Sequence, residues 1–454
     1  MNNPIHFPRR QHWNPTRFVV LSFALIIFLG TVLLHLPLSC AEGTAAPWLT
    51  CLFTATSATC VTGLVLVDTA LAWSGFGQAV ILCMIQLGGL GFITLITMVS
   101  LALHRRISLT QRLTMASALN LDGLAGVVRV VRHALTGTFL LEGVGAVVLC
   151  TRFIPRFGPG KGLWMAVFHS VSAFCNAGFD LMGEYSGPFS SLAAFSADPV
   201  VLLTLMVLIV LGGLGFFVWE DWLRHRNWRG LSLYSKMVLA ITAALILLGA
   251  GFFLWIEWDN PMTLGSMPAG EKLLNALFQS VTLRTAGFSV IDQGLQTDSS
   301  AVLSILLMLV GGSSGSTAGG IKTVTVGVLL LALRDGLHGR DRVVFRGRTI
   351  PQHKVMSAVT LSMAMVLLFL TGSMILSLMD AVPILSAAFE TASALATVGL
   401  SMGITPRLNH WSTLLVTAMM YLGRVGILSF SIAFLTRREQ DVKLKYPTAD
   451  MMIG

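Results

Sequence analysis

Long apolar runs separated by short polar stretches dominate this chain of 454 residues. A helix needs about 20 apolar residues to cross a hydrocarbon core roughly 30 Å thick. Eight runs reach about that length: 18–38, 77–103, 133–151, 199–219, 236–256, 301–333, 355–379 and 411–435. The pattern therefore predicts eight transmembrane helices. No small-residue cleavage site follows the first run, so we expect that helix to stay in the mature chain.

Four shorter apolar stretches lie between these runs and recur at a regular period. They read LFTATSATCVTGL (52–64), VFHSVSAFCNAGF (167–179), LFQSVTLRTAGF (277–288) and AFETASALATVGL (388–400). Their last glycines, Gly63, Gly178, Gly287 and Gly399, are separated by 115, 109 and 112 residues. Such a fourfold period predicts one structural unit used four times. The predicted units cover 18–104, 128–224, 236–335 and 352–436, and the tails 1–17 and 437–454 lie outside them.

Each short stretch is too short to span a membrane. We expect it to enter from outside as a re-entrant pore helix of two to three turns and to return as an extended tail. Four glycine-containing tails around one axis can turn their carbonyl oxygens inward and replace the hydration shell of an ion. A single Thr-Gly tail is more often an ordinary loop, and the four copies in register favour a filter. The predicted fold is an all-α integral membrane protein with four tandem helix–pore-loop–helix repeats around a central pore.

Composition and charge agree with a membrane protein. Hydrophobic residues make up 54% of the chain and charged residues 11%, against about 25% charged in soluble domains. Of the 30 Lys and Arg residues, 22 lie on one side of the eight predicted helices, before 18, in 104–132, 222–236 and 334–354, and after 436. The positive-inside rule therefore predicts cytoplasmic termini, and it explains the net charge of +9 without a nucleic-acid partner. The opposite side holds 11 of the 21 acidic residues, which favours cations outside.

A glycine-rich segment interrupts the run 301–333. Residues 311–320, GGSSGSTAGG, contain five glycines, and each glycine costs a helix about 1 kcal/mol relative to alanine. We expect this loop to be unwound below the filter, with its freed amides met by water or by side chains such as Arg424. It fails as a phosphate-binding loop, since Ile321 separates Gly320 from Lys322. With no HExxH or GxSxG motif either, the sequence predicts no enzyme. A coupled carrier with paired inverted repeats would lack four similar tails.

Charged residues within the predicted membrane region are few, and each is a functional hypothesis. Arg424 in the last helix needs a carboxylate, backbone carbonyls or water as its partner. Glu142 is expected to have a structural role, and Arg284 and Glu390 are expected to brace the filter from behind through hydrogen bonds or a salt bridge. Asp68 and Asp180 follow filter tails and line the outer mouth or are solvated loop carboxylates.

Several of these motifs resemble a known family. CVTGL, CNAGF, RTAGF and ATVGL, together with QLGGLGF, VLGGLGF, GGSSGSTAGGIKT and LGRVGILSF, are similar to the KtrB/TrkH/HKT superfamily of potassium transporters. The resemblance covers essentially the whole chain, including KLKYP near its end. It is strongest to KtrB, since the chain starts with the first repeat and lacks the additional N-terminal helix pair typical of TrkH.

This resemblance implies a potassium filter and a gate. The filter would comprise Val61, Thr62, Gly63, Asn176, Ala177, Gly178, Thr285, Ala286, Gly287, Thr397, Val398 and Gly399. The gate would comprise Gly311, Gly312, Ser313, Ser314, Gly315, Ser316, Thr317, Gly319, Gly320 and Arg424. Two plainer interpretations remain open: the loop is a passive kink for close helix packing, and Arg424 forms a structural pair that holds repeat 4.

The resemblance also implies partners and a location. K+ is the expected substrate ion, bound through backbone carbonyls, with no cofactor on this chain. We expect a homodimer in the bacterial inner membrane, assembled on a cytoplasmic KtrA-like ring that binds ATP or ADP. Uptake in KtrB systems is commonly stimulated by Na+, although the residues identify no sodium site. The alternative is a stand-alone or sodium-coupled monovalent cation transporter of the same superfamily.

Overall fold

The computed structural model describes residues 15–91 and 127–426, and most of these residues are helical. The longer helices are α1 (Pro15–Leu34), α2 (Trp48–Thr59), α3 (Gly75–Leu90), α4 (Val127–Phe157), α5 (Pro159–Phe174), α6 (Pro199–Leu214), α7 (Phe216–His225), α8 (Leu233–Glu257), α9 (Ala269–Thr282), α10 (Asp298–Leu309), α11 (Thr323–Leu337), α12 (Gln352–Asp380), α13 (Ile384–Ala396) and α14 (His410–Val425). Short helical turns cover Pro37–Ser39, Thr69–Ala72, Gly183–Ser186, Ala193–Phe195, Trp228–Gly230, Gln293–Leu295 and Thr405–Arg407. An antiparallel hairpin of β1 (Val344–Phe345) and β2 (Arg348–Thr349) joins α11 to α12.

The predicted all-α class is confirmed, and the small hairpin is a feature that the sequence did not predict. Three described helices are long and apolar enough to span a membrane: Arg132–Phe157, Leu233–Glu257 and Gln352–Asp380. A fourth span results if α6 and α7, which are bent by 92° at their junction, are counted together. Shorter apolar helices, Val19–Leu34, Gly75–Leu90 and Asp298–Leu309, lie in three of the other predicted runs. The count of eight spans and the repeat boundaries therefore stay predictions. Outside the described residues lie parts of the predicted runs 77–103 and 411–435, the loop 104–126, residues 1–14 of the first tail and the whole tail 437–454.

The four pore helices are α2, α5, α9 and α13. They contain 12, 16, 14 and 13 residues, so the expected two to three turns were too few. Each starts at a proline, either as the residue before the helix or as its first residue: Pro47, Pro159, Pro268 and Pro383. Proline suits a helix start because the first amides have no partner within the helix. This local signal marks the starts that the hydrophobic pattern missed.

The helix that follows each filter tail begins with a side-chain cap. The caps accept hydrogen bonds from free amides of the first turn and are Ser74, Asp198, Thr297 and Asn409. These helices, α3, α6, α10 and α14, therefore start at a defined position after each tail. At their other ends, α3, α6 and α14 stop at a glycine with positive φ, namely Gly91, Gly215 and Gly426. Residues 310–322 after α10 are not helical, as the glycine content predicted.

The pore helices lie in the core. Each carries a phenylalanine that is 0% exposed, at Phe53, Phe168, Phe278 and Phe389. The surrounding helices present large apolar side chains outward, among them Phe28, Leu140, Leu247 and Leu367, each more than half exposed. A fully buried centre inside an apolar exterior is the arrangement that lipid solvation favours.

Candidate functional site

The four glycines of the predicted filter meet in a closed ring. A Cβ built on Gly63 would lie 2.4 Å from the carbonyl oxygen of Ala177, and one on Gly178 would lie 2.8 Å from that of Ala286. A Cβ on Gly287 would lie 2.4 Å from the oxygen of Val398, and one on Gly399 would lie 2.2 Å from that of Thr62. Each glycine therefore faces the carbonyl that precedes the next glycine. Only glycine fits such an approach, since real Cβ atoms do not come this close to an oxygen.

The φ angle changes sign from residue to residue along each tail. The residue two positions before each glycine has a positive φ of 56°, 58°, 68° or 52°, at Val61, Asn176, Thr285 and Thr397. The four glycines have φ between 69° and 98°. The residue between these two positions has no positive φ in any tail, so the sign of φ alternates along each tail. Val61, Thr285 and Thr397 are β-branched, a type for which positive φ is a clear outlier. Such strain persists where the surrounding structure holds it, commonly at functional sites.

Each tail also bonds back to its own pore helix. The amide of the residue before the glycine donates to a pore-helix carbonyl in all four units: Thr62 to Ser57 at 2.8 Å, Ala177 to Ser172 at 2.7 Å, Ala286 to Thr282 at 2.9 Å and Val398 to Ser393 at 2.8 Å. The acceptor residue carries a hydroxyl in every case. The sequence did not predict a role for these four residues. A Ser or Thr five or six positions before the glycine is nevertheless present in each stretch.

The glycine clusters of the following helices pack against the pore-helix ends. A Cβ on Gly88, Gly212 or Gly423 would lie 1.9, 2.0 or 2.1 Å from a carbonyl oxygen of the pore helix in the same unit, namely that of Thr59, Phe174 or Leu395. Each of these three carbonyls belongs to the residue four positions before a filter glycine. In α3, α6 and α14 these glycines therefore serve close helix packing.

The segment 311–320 lies directly beside the ring. A Cβ on Gly319 would lie 2.1 Å from Oγ1 of Thr397 and 2.7 Å from the carbonyl oxygen of Ala396. The amide of Gly311 donates to the oxygen of Ile321 at 3.0 Å, and the amide of Ile321 donates to the oxygen of Leu309 at 3.0 Å. These two bonds close the loop at its base.

The same segment is bonded to the break between α6 and α7. The amide of Ser313 donates to the oxygen of Gly213 at 3.0 Å, and the amide of Phe216 donates to that of Gly315 at 3.0 Å. The hydroxyl of Tyr234, on α8, donates to the oxygen of Ser314 at 3.0 Å. The amides of Gly311, Ser313 and Thr317 are therefore met by backbone carbonyls.

Comparison with known proteins identifies the family. The profile of the TrkH family, described as a cation transport protein, matches residues 10–446. The chain belongs to the TrkH family. The potassium/sodium uptake protein NtpJ of Enterococcus hirae is 38% identical over 450 residues, 98% of each chain. The Ktr system potassium uptake protein B of Bacillus subtilis is 35% identical over 442 residues, 97% of each chain.

A solved structure supports the fold. The potassium transporter TrkH from Vibrio parahaemolyticus matches with a TM-score of 0.74 over 94% of this chain and 86% of that chain, at 19% sequence identity. The chain therefore has the fold of this protein. Its membership of the TrkH family of cation transport proteins makes it a multi-pass membrane transporter and not an enzyme, as the sequence predicted.

Arg424 joins three parts of this TrkH-family fold. Its Nη1 donates to the carbonyl oxygen of Thr317, and its Nη2 donates to those of Gly88 at 2.5 Å and Gly89 at 3.3 Å. All three acceptors are backbone carbonyls. A guanidinium can only donate hydrogen bonds, so it cannot bond to a backbone N–H. The expectation that Arg424 would meet freed amides was therefore wrong, whereas backbone carbonyls were among its expected partners.

The other buried charges have local hydrogen-bond partners. Glu142 accepts from Nε2 of Gln86 at 3.1 and 3.2 Å, which ties α4 to α3. Arg284 donates to the carbonyl of Gly311 at 3.1 Å, at the start of the loop. Glu390 accepts from the hydroxyl of Thr405. Among the described residues Arg284 and Glu390 form hydrogen bonds rather than the salt bridge that was the other expectation.

The two loop carboxylates hold the outer connections together. Asp68 accepts from the amides of Ala70 at 2.9 Å and, from the next unit, of Phe189 at 2.9 Å. Asp180 accepts from the amide of Met182 at 3.0 Å. Both side chains are partly buried and engaged in backbone bonds, so neither is a fully solvated loop carboxylate.

Proposed function

We propose that this chain is the membrane subunit of a potassium uptake system, and that K+ passes through the ring around Gly63, Gly178, Gly287 and Gly399. The closed ring, in which each glycine faces the carbonyl that precedes the next glycine, carries this proposal. Carbonyl oxygens replace the hydration shell of K+ in selective pores. Relatives that are 35% to 38% identical along nearly their whole length are potassium or potassium/sodium uptake proteins.

The proposed filter consists of three residues from each tail. The residue with positive φ and the residue after it supply carbonyls, and the glycine allows the close approach. The set is Val61, Thr62, Gly63, Asn176, Ala177, Gly178, Thr285, Ala286, Gly287, Thr397, Val398 and Gly399. Since oxygen ligands without charge suit a weakly hydrated monovalent cation, the filter needs no carboxylate.

The proposed gate is the loop 311–320 together with Arg424. The contact of Gly319 with Thr397 supports it, since a segment touching the end of the filter can obstruct the ion path. The guanidinium of Arg424, bonded to Thr317, adds a positive charge that opposes a cation there. A passive kink remains the competing interpretation, and the close packing of glycines in α3, α6 and α14 gives that interpretation a precedent within this fold.

The proposed regulator is a cytoplasmic ring of nucleotide-binding subunits, of the KtrA type that binds ATP or ADP, beneath a homodimer in the bacterial inner membrane. Both termini would be cytoplasmic. The relatives named for a Ktr system support this assignment. Segment 334–354 would take part in the contact, and its hairpin is held by Asp335, which is 1% exposed. The amide of Val344 donates to this carboxylate at 2.8 Å and, with Arg334, lowers the pKa of Asp335.

Ion flux from purified protein in liposomes tests the proposal. We expect uptake of K+ or Rb+ in preference to Na+, and its loss when Gly287 or Gly399 is replaced by valine. Equal uptake of Na+ and K+, or full selectivity in both variants, would contradict a filter at this ring. A sodium requirement for K+ entry would favour the sodium-coupled alternative, and nucleotide regulation without any added subunit would favour a stand-alone transporter.

A further inference from the structure

Each pore helix carries one buried hydroxyl that hydrogen-bonds to its own tail. These residues are Ser57, Ser172, Thr282 and Ser393, and each is 0% exposed. We propose that the four hydroxyls are positioning residues that determine ion selectivity, because they fix the direction of the peptide groups in the tails. This inference rests on the proposed function, since the tails select ions only if ions pass through the ring.

The hydroxyls act in two ways. In the first and fourth units they accept from the filter glycine itself: the amide of Gly63 donates to Oγ of Ser57 at 3.0 Å, and the amide of Gly399 donates to Oγ of Ser393 at 3.0 Å. A planar trans peptide directs its N–H and its C=O in opposite directions. An amide held toward the pore helix therefore turns the carbonyl of the preceding residue toward the ring.

That carbonyl is the one in contact with the neighbouring unit. The oxygen of Thr62 lies against Gly399, and the oxygen of Val398 lies against Gly287. If the bond from Gly63 to Ser57 is lost, the peptide between Thr62 and Gly63 is freer to rotate. Rotation would point an N–H into the ring, and an N–H repels a cation where a carbonyl would bind it.

In the second and third units the hydroxyls donate instead. Oγ of Ser172 donates to the carbonyl of Phe179 at 2.7 Å, and Oγ1 of Thr282 donates to that of Phe288 at 2.7 Å. Both acceptors directly follow a filter glycine. The bond holds this carbonyl away from the ring and fixes where the tail leaves it.

Burial makes these bonds hard to replace. Each hydroxyl lies in a fully buried site, so its removal leaves a peptide group without a partner and without ready access to water. The backbone bond from the same tail to the same helix remains, for instance from Thr62 to Ser57 at 2.8 Å. The tail should therefore stay folded while its peptide direction loosens, and selectivity should fall before uptake is lost.

The test measures competing uptake of Rb+ and Na+ into liposomes that contain the purified full chain. Ser57→Ala should lower the Rb+/Na+ uptake ratio about tenfold, which corresponds to about 1.4 kcal/mol and the size of one buried hydrogen bond. Ser57→Thr keeps a hydroxyl and should restore most of the ratio. Thr282→Val, which exchanges the hydroxyl for a methyl, should lower the ratio, whereas Thr282→Ser should retain it. We expect the larger fall in the first unit, where the bond orients an ion-facing carbonyl directly.

Thr54→Val is the matched control on the same pore helix. Thr54 is 1% exposed, and its hydroxyl has no hydrogen-bond partner among the described residues. An unchanged ratio in Ser57→Ala and Thr282→Val, with a lowered ratio in Gly63→Ala, would overturn this inference and leave the filter standing. Unchanged ratios in all three would instead contradict the proposed function. If Ser57→Ala fails to fold, the pair Thr282→Val and Thr282→Ser decides the question by itself.

Discussion

Arg424 donates a hydrogen bond to the carbonyl oxygen of Thr317, 107 residues earlier in the chain. The same guanidinium donates to the carbonyl of Gly88 at 2.5 Å. One side chain on α14 therefore connects the loop 311–320 with α3. Any movement of the loop away from the ring breaks or stretches the first bond while the second can remain, which gives the proposed gate a defined resting contact.

Removal of the guanidinium should release the loop. We expect Arg424→Gln to raise K+ flux in the absence of activating nucleotide by at least about tenfold, since loss of a buried bond to a charged group costs about 1.5–3 kcal/mol. Arg424→Lys should give an intermediate result, because an ammonium lacks the planar fork that reaches several carbonyls. Flux assays in liposomes with the proposed regulatory subunits measure the effect. Arg407→Gln, an exposed arginine after the fourth tail, is the control; equal flux in both variants would assign Arg424 to structure alone.

Loss of the loop should remove regulation. Deletion of residues 313–318 takes away the bond that the amide of Ser313 donates at the α6–α7 break and the bond that Tyr234 donates to the carbonyl of Ser314. We expect K+ flux that no longer depends on nucleotide, measured with and without ATP on the partner subunits. Regulation that persists after the deletion would favour a passive kink.

Removal of one hydroxyl should weaken the contacts of the loop less than removal of the guanidinium. Tyr234→Phe removes the bond to the carbonyl of Ser314 and leaves the ring of the side chain in place. One hydrogen bond contributes about 1 kcal/mol, so unstimulated flux should rise roughly fivefold. Tyr185→Phe, an outer residue 43% exposed, is the matched control. A rise in both variants would show that the effect is not specific to the loop.

The ring itself should reject even a methyl group. Gly399→Ala would place a Cβ 2.2 Å from the carbonyl oxygen of Thr62, so we expect K+ uptake to fall at least about tenfold. Gly403→Ala is a close control, since Gly403 also has positive φ, at 82°, and has open space at its Cβ position. Both variants place an alanine at positive φ and share that backbone strain, whereas only Gly399→Ala contacts the ring. A similar loss of uptake in both would point to strain rather than to the ring.

The hairpin between α11 and α12 should loosen in acid. The amide of Val344 and the guanidinium of Arg334 lower the pKa of Asp335 in the folded protein. A lowered folded pKa gives stability that is present above the unfolded value of about 3.9 and is lost as pH falls through the folded pKa. Hydrogen exchange at Val344, corrected for its intrinsic rate, should increase as pH falls below about 4. Asp335→Asn should show fast exchange already at pH 7 and little further change; equal protection in both proteins would contradict the role of this carboxylate.

The sequence was informative wherever structure depends on local pattern. Run lengths indicated a membrane protein because the thickness of the bilayer fixes how many apolar residues a span needs. The four glycines at Gly63, Gly178, Gly287 and Gly399 could be identified from their period, since the same local backbone shape recurs in each unit. The unwound segment after Leu309 followed from glycine content alone. Even the hydroxyls of Ser57 and Ser393 stand at a constant spacing, although nothing local shows what they bond.

Tertiary structure alone decided how these parts meet. The order of the units around the ring, in which Gly63 faces Ala177 and Gly399 faces Thr62, is a set of contacts between segments more than 100 residues apart. No periodicity specifies such contacts, because they depend on how the helices pack. The positive φ at Val61 and Thr397 is likewise invisible in the sequence, since β-branched residues disfavour it and only the packed surroundings hold it. For the same reason Arg424 could be recognised as a costly buried charge, while its carbonyl acceptors on Thr317 and Gly88 emerged only from the fold.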